Sequence, residues 1–498
     1  MKIAGLDIGT TGCKCTVFDA DGACLGKAYR DYPVKREAKG HEVDVSAIMD
    51  GVYEVLAEMA GQYPDIGGIG VTSFGETFVL TDGAGQPLHM AMLYTDSRGG
   101  AECDRLKERI GERRIAEITG LRPHEMYSIS KLMWMKENCA DIYGKAAYVF
   151  LMEDYVVYHL TGRRQIDYSL ATRTMAFDIR KLDWSSEILE AAGVSRQMLS
   201  EPVPTGTDAG TIRQEAAGRT GLSRETHVVS VSHDQVAAAV GAGALDGSVA
   251  VDGAGTVECV TPIFDSLPDM DVMYNGYFAI VPYVIPGKYA AYAFSYTGGA
   301  LLQWCTDTLA KREKEMAKEE GISVNEYLEG EYRRERLSPT GLLVLPHFAG
   351  AATPYMDTGS RGAVLGLTAS TTTADLYRAC MEGVVYEMYL NVKALQGSGT
   401  CFTRMHATGG GARSAEWMQM KADMLNMPIT ALKTVDAGTV GSAMLTGIAI
   451  GVFADLGDAA GHMVDKTQEF YPRHDMHEKY LQIFERYEKV YRAVRPLV

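Results

Sequence analysis

Two stretches of this chain share one plan: a short apolar strand ending at an aspartate, a Gly/Thr-rich turn, and a returning strand. The first is Ile3-Ala4-Gly5-Leu6-Asp7-Ile8-Gly9-Thr10-Thr11-Gly12, followed by Cys13 to Asp19. The second is Ser248-Val249-Ala250-Val251-Asp252-Gly253-Ala254-Gly255-Thr256, followed by Val257 to Pro262. Each places small residues, hydroxyls and free backbone N–H groups at a hairpin tip, where a chain of phosphates can be held. Two such tips point to two lobes closing on one nucleotide. At 498 residues the chain is too long for one ordinary core, which makes two large domains the default.

The formal charge of −16, from 48 basic and 64 acidic residues, argues against nucleic acid or an anionic membrane as the main partner. It does not count against ATP, because a phosphate site depends on local donors. No apolar stretch approaches the roughly 20 residues needed to span a bilayer. The first strand carries Asp7, so it reads as neither a signal peptide nor an anchor. The nine cysteines are odd in number, scattered and without a CxxC pair. They read as reduced thiols of a cytoplasmic protein rather than as zinc ligands. Cys13 and Cys15 alternate along one strand and are expected to face the core together.

The opening reads as a meander with strands at 2–7, 13–18 and 23–29, then a helix at 46–61 and a buried strand at 66–72. Helical patterns follow at 99–110, 129–138 and 152–160. A short strand at 228–232 leads into an alanine-rich helix. The second half repeats the order, with a hairpin at 248–262, strands near 276–284 and 289–294, and helices at 299–313, 324–336, 373–396, 413–425 and 476–493. The boundary falls near Leu245-Asp246-Gly247, giving an N-terminal domain of 1–245 and a C-terminal domain of 246–498. A β-meander followed by helices, twice over, describes an α/β duplication in the style of the actin-like ATPases.

In Ser230-Val231-Ser232-His233-Asp234-Gln235, an apolar strand delivers Asp234 to its C-terminal end, where ligands of α/β sheets bind. A carboxylate there can take the proton of an attacking hydroxyl, although N-capping the next helix is the simpler role for Asp234 taken alone. Thr408-Gly409-Gly410-Gly411-Ala412-Arg413-Ser414 and Thr297-Gly298-Gly299 each open a helix and let backbone approach a ligand closely. A GxxxxGK[ST] loop is absent, so P-loop chemistry is excluded on motif grounds.

Met126-Tyr127-Ser128-Ile129-Ser130-Lys131-Leu132-Met133-Trp134-Met135-Lys136-Glu137-Asn138 fits the first signature of the FGGY carbohydrate kinases, which the chain resembles over essentially its whole length. Gly362-Ala363-Val364-Leu365-Gly366-Leu367 and Asp375-Leu376-Tyr377-Arg378-Ala379-Cys380-Met381-Glu382 match the second, Cys380 being the one departure. The resemblance implies two actin-like (ribonuclease H-like) domains closing over sugar and ATP. It makes Asp234 the catalytic base and Asp7 a holder of Mg²⁺. It assigns Thr10, Thr11 and Lys14 to the first phosphate loop, Gly255 and Thr256 to the second, and Gly299, Gln303, Gly410, Gly411 and Ser414 to the ADP site. A homodimer is a further family-level expectation.

For the sugar, the resemblance points to Gly75, Glu76, Asp96, Met126, Tyr127 and Gln235 beside Asp234. Xylulose kinases usually have Met-His where this chain has Gly75-Glu76, and glycerol kinases have Arg-Glu. The glycerol-binding tyrosine position holds Met126, with Tyr127 adjacent. Asp96 reads equally as a hydroxyl ligand or as the partner of Arg98. Glu76 would repel a carboxylate, which favours a neutral polyol or ketose such as xylulose, ribulose or a deoxyketose. The competing readings are a non-catalytic sugar- and nucleotide-binding sensor of the same fold and an actin- or chaperone-like ATPase acting on protein.

Overall fold

The computed structural model describes residues 1–37, 40–335, 339–434 and 436–498. In the first half, strands β1 (Lys2–Ile8), β2 (Gly12–Phe18), β3 (Cys24–Asp31), β4 (Ile66–Ser73), β5 (Thr207–Thr211) and β6 (His227–His233) form a sheet in the order β5-β6-β4-β1-β2-β3. In the second, β7 (Val249–Ala254), β8 (Glu258–Phe264), β9 (Ala279–Pro282), β10 (Tyr289–Ser295), β11 (Arg404–Thr408), β12 (Ile429–Leu432) and β13 (Lys466–Phe470) run β9-β10-β8-β7-β11-β12-β13. The two sheets repeat one plan. An antiparallel three-strand meander is extended by two parallel strands and then closed by one antiparallel edge. The second sheet adds only β9. Parallel strands need crossover helices, which is why each meander is followed by a long helical stretch.

Helices α1 (Val45–Gln62), α2 (Asp234–Gly241), α3 (Gly299–Thr308), α4 (Thr373–Leu395), α5 (Ala415–Leu425) and α6 (Ala437–Ala449) set the site. Between the sheets α2 and α6 cross so closely that a Cβ on Gly241 would stand 1.9 Å from the Ala437 carbonyl oxygen, and one on Gly441 1.9 Å from that of Ala237. Ala237-x-x-x-Gly241 and Ala437-x-x-x-Gly441 are therefore one surface used twice, and only glycine permits the approach. α6 also lies against β1 and β4 of the other half, where Gly5 meets the Thr439 carbonyl oxygen and Gly70 the Ser442 carbonyl oxygen.

The expected helix at 299–313 stops at Thr308 and restarts as Lys311–Glu320, and that at 476–493 is two helices, His474–Tyr487 and Val490–Val494. The helix expected at 324–336 runs Val324–Glu335, with Arg336 outside the described residues. α6 was not expected at all. Its sequence, Ala-Gly-Thr-Val-Gly-Ser-Ala-Met-Leu-Thr-Gly-Ile-Ala, carries poor helix formers and no polar face, because it is enclosed on nearly every side. All nine cysteines are free, and Cys13 and Cys15 are buried. No helix among the described residues is long and apolar enough to cross a membrane.

Candidate active site

β6 delivers His233 and Asp234 to the cleft, and a register shift between Ser230 and Ser232 against β4 re-aims its last residues. His233, not Asp234, holds the cap position of α2, and no side chain closes that turn, so Asp234 is not a capping residue. The backbone N–H of His233 donates to Ser169 Oγ at 3.0 Å, and Ser169 Oγ donates to Asp167 Oδ1 at 3.1 Å. Asp167 itself caps the short helix Tyr168–Thr172. That chain of bonds fixes the strand end that presents Asp234.

Burial first, and then the negative charges of Asp7 and Glu76, push the Asp234 carboxyl from 3.8 up to about 7. Burial and the nearby Arg173 hold the His233 imidazole well below its usual range, so it is neutral. Its Nδ1 faces the Tyr292 hydroxyl at 3.1 Å, which brings β10 of the second sheet to the site.

Glu76 follows β4 in left-handed backbone, φ 62°, and is buried. Its Oε1 accepts from Arg173 Nε at 2.6 Å and also from Arg173 Nη2. The Arg173 guanidinium lies 5.3 Å from the centre of the Tyr127 ring and 5.6 Å from that of Tyr292. A side chain at Gly75 would collide with it, since a Cβ there would stand 2.9 Å from Arg173 Cγ. Glu76 is therefore no lone charge: residue 173 supplies the arginine missing at position 75.

The first family signature has a direct physical purpose here. Ser128 Oγ donates to the Glu76 carbonyl at 2.6 Å, and the buried Lys131 ammonium donates to the carbonyls of Glu125 and Met126 at 2.6 and 2.9 Å. Together they hold the segment carrying Met126 and Tyr127 against Glu76. Tyr127 is buried behind Arg173, and Met126 packs partly on the core. Gln235 is half-buried on the first turn of α2. Of the two roles open to Asp96, the structure shows the ion pair. Its oxygens accept from Arg98 Nε and Nη2 at 2.9 and 2.6 Å and from the His41 N–H at 2.8 Å. The carboxylate is only 2% exposed, and its oxygens are engaged by these donors.

At the first tip, Asp7 on β1 lies opposite Lys14 on β2. Lys14 Nζ is 3.9 Å from Asp7 Oδ2 and donates to Asp436 Oδ1 at 2.8 Å, while Lys27 donates to Asp436 Oδ2 at 2.8 Å. Thr10 lies beside the Tyr94 side chain, and Thr11 lends its carbonyl to the Tyr32 N–H at 3.1 Å.

Gly255, Thr256, Gly299, Gln303, Gly410, Gly411 and Ser414 all line one cavity of about 1160 Å³. The N–H groups of Gly299 and Ala300 donate to the Gly255 and Thr256 carbonyls at 2.9 and 3.1 Å, so the second tip and α3 form one block. Gly411 has no room for a Cβ, which would stand 2.7 Å from the Trp417 ring. Ser414 caps α5 and donates to Glu329 Oε1 at 2.8 Å. Arg173 and Tyr292 had no local signal in the sequence. Nor did the cavity residues Asn325, Glu329 and Arg333, which sit on an ordinary charged helix, whereas Tyr377, which also lines the cavity, lies within the second signature.

The model of the FGGY family of carbohydrate kinases, N-terminal domain, matches residues 2–241, and its C-terminal counterpart matches 254–450. The chain is 26% identical to a xylulose kinase of Bacillus subtilis over 99% of its own length and 97% of that protein. It is 30% identical to a gluconokinase of the same organism, covering 96% and 93%. The solved structure of a ligand-bound xylulose kinase from Lactobacillus acidophilus shares the fold, with a TM-score of 0.90, 22% identity and 99% and 98% coverage.

Proposed function

This chain belongs to the FGGY family of carbohydrate kinases, and we propose that it moves the γ-phosphate of ATP to a hydroxyl of a small neutral sugar or polyol, with Asp234 as the base. Members of such families use ATP as phosphate donor. The observation carrying the proposal is a division of the cleft. A carboxylate tuned to about 7 stands at the end of β6 beside Glu76, while seven Gly/Ser/Thr/Gln positions line one nucleotide-sized cavity in the other half. Asp234 accepts the hydroxyl proton as that oxygen bonds to phosphorus and the bond from phosphorus to the ADP oxygen breaks. Thr10, Thr11 and the Gly255–Thr256 tip offer hydroxyl and N–H donors to the phosphates. Lys14 would exchange part of its bond with Asp436 for the transferring group.

Asp7 fits a magnesium ion. Its carboxylate is partly exposed at the first tip, and the described residues contain no group of three or more metal-binding side chains that would enclose a metal by themselves. One carboxylate with phosphate oxygens and water is the ordinary magnesium arrangement, and the bound ion would neutralise phosphate charge. Arg173 weakens the earlier ground for a neutral substrate, because it balances Glu76. What still favours a neutral substrate is that Asp7 and Glu76 act on Asp234 as nearby negative charges, which a substrate carboxylate would also meet.

An ADP-coupled screen over ketopentoses, deoxyketohexoses, tetritols, glycerol and sugar acids tests the reading. Turnover of a neutral compound is the expected result. Turnover confined to sugar acids would overturn the substrate class, and sugar binding without ADP production would mark a sensor.

A further inference from the structure

Lys421 lies on α5, is entirely buried and takes no part in the chemistry above. Its ammonium donates to Asp252 Oδ2 at 2.6 Å and to Glu258 Oε1. Asp252 is on β7 and Glu258 on β8, the two strands of the second hairpin. Asp252 pairs with Val260 and Ala254 with Glu258, so the two carboxylates are diagonal neighbours on one face of the hairpin. Both are buried as well. Asp252 Oδ1 and Glu258 Oε2 have no hydrogen-bond partner among the described residues. Burial and the neighbouring Asp252 push Glu258 well above the usual carboxylate range.

The position of this triad gives it a consequence. The β7–β11 ladder ends at Gly253 and Thr408, two residues before the walls of the nucleotide cavity begin at Gly255 and Gly410. Beyond it, one wall is the Gly255–Thr256 tip fused to α3, and the other is the Gly410–Ser414 turn that opens α5. Lys421 reaches from α5 to the base of the tip, and its ammonium also lies 4.7 Å from the centre of the Trp417 ring, which lines the cavity. A buried charge costs too much to be a neutral filler, and its three contacts all converge on the two walls.

We infer that Lys421 is a positioning residue for nucleotide phosphates: with Asp252 and Glu258 it ties the phosphate-binding tip to the helix that carries the opposite wall. The inference rests on the reading of Gly255–Thr256 as a phosphate-binding tip. Removing Lys421 alone would strand buried carboxylates and unfold the region, so the test uses the neutral triple variant Lys421→Met, Asp252→Asn, Glu258→Gln. There the two amides can bond each other across the hairpin, and only the tie to α5 is lost.

ADP and adenosine binding are measured by calorimetry on the full chain, alongside thermal unfolding. The wild type binds both. The triple variant unfolds at or above the wild-type temperature and binds ADP about tenfold more weakly, the loss of roughly one charge-assisted hydrogen bond, while its adenosine affinity stays within about twofold. ADP affinity within about twofold of wild type in the folded variant would overturn the inference, as would adenosine weakening in step with ADP. Wild type that binds no ADP would instead remove the nucleotide reading on which the inference stands.

Discussion

Asp234 makes the sharpest prediction because its charge state and its role are the same variable. Its carboxyl is raised from 3.8 to about 7, so only about a tenth is ionised at pH 6 and about nine-tenths at pH 8. The base form is the active form. We therefore expect kcat/KM to rise about tenfold per pH unit below 7 and to level off near pH 8. Glu76→Gln removes one of the two negative neighbours. A screened charge interaction of about 1–1.5 kcal/mol corresponds to about one pH unit, so the limb should move to acid by about that much. Asp234→Asn should lose about 10²–10⁴-fold in turnover. Stability should change in the opposite sense. The folded pKa lies above the unfolded one, so the folded state holds the extra proton, and this stabilisation is complete below about pH 4 and lost as pH rises through about 7. At pH 8 the wild type bears the cost of a buried charge that asparagine avoids. The full gap corresponds to about 4 kcal/mol, reduced by solvent at the cleft to about 1–2 kcal/mol in favour of Asp234→Asn. The assays are ADP-coupled rates from pH 5.5 to 9 with the best substrate of the screen and thermal unfolding at pH 4 and 8. A limb that Glu76→Gln leaves in place would refute the electrostatic argument, and undiminished turnover in Asp234→Asn would remove the residue from the base role.

Arg173→Met leaves Glu76 buried without its cation and should destabilise the fold by about 3–5 kcal/mol. Pairing it with Glu76→Gln should restore the melting temperature but not the KM for sugar, as calorimetric melting and steady-state kinetics would show. Gly411→Ala puts a Cβ 2.7 Å from the Trp417 ring and 3.1 Å from the Ala254 carbonyl oxygen. It should weaken ADP binding by about tenfold or more while leaving sugar binding intact, and equal ADP affinity would show that the turn relaxes freely.

What could be read from sequence was whatever the backbone itself must do. The two hairpin tips, the glycine clusters and the strand delivering Asp234 are all local requirements, and the structure contains each of these elements. Arg173 was invisible because its partner Glu76 is 97 residues away and its place is vacant only through the glycine at 75. Lys421 was invisible for the same reason, its carboxylate partners lying 169 and 163 residues upstream. α6 escaped because its enclosed surface leaves no amphipathic period, so its glycines and β-branched residues look like a strand or a loop. Asp96 shows the converse: residue type allowed two roles, and only the positions of Arg98 and the His41 N–H distinguish them.

The two hairpins, alike in sequence, differ in what stands behind their aspartates, and this difference gives the site its direction. Asp7 lies across the ladder from Lys14, and its side chain keeps 23% of its exposure, so water, metal and phosphate can reach it. Asp252 lies across from Val260 and is sealed against Lys421, out of reach of any ligand. A carboxylate close to phosphate oxygens without an intervening cation repels them. The first tip can therefore keep its aspartate open only if a metal or Lys14 stands between it and the phosphates, whereas the second has spent its aspartate on structure and can bind phosphate through neutral N–H and hydroxyl groups. On the proposed roles, with Asp234 as base on the side of Asp7, the reacting end of the triphosphate is expected at the first tip and its ADP end at the second. Reversing that order would set the transferring phosphate against a tip with neither metal ligand nor base.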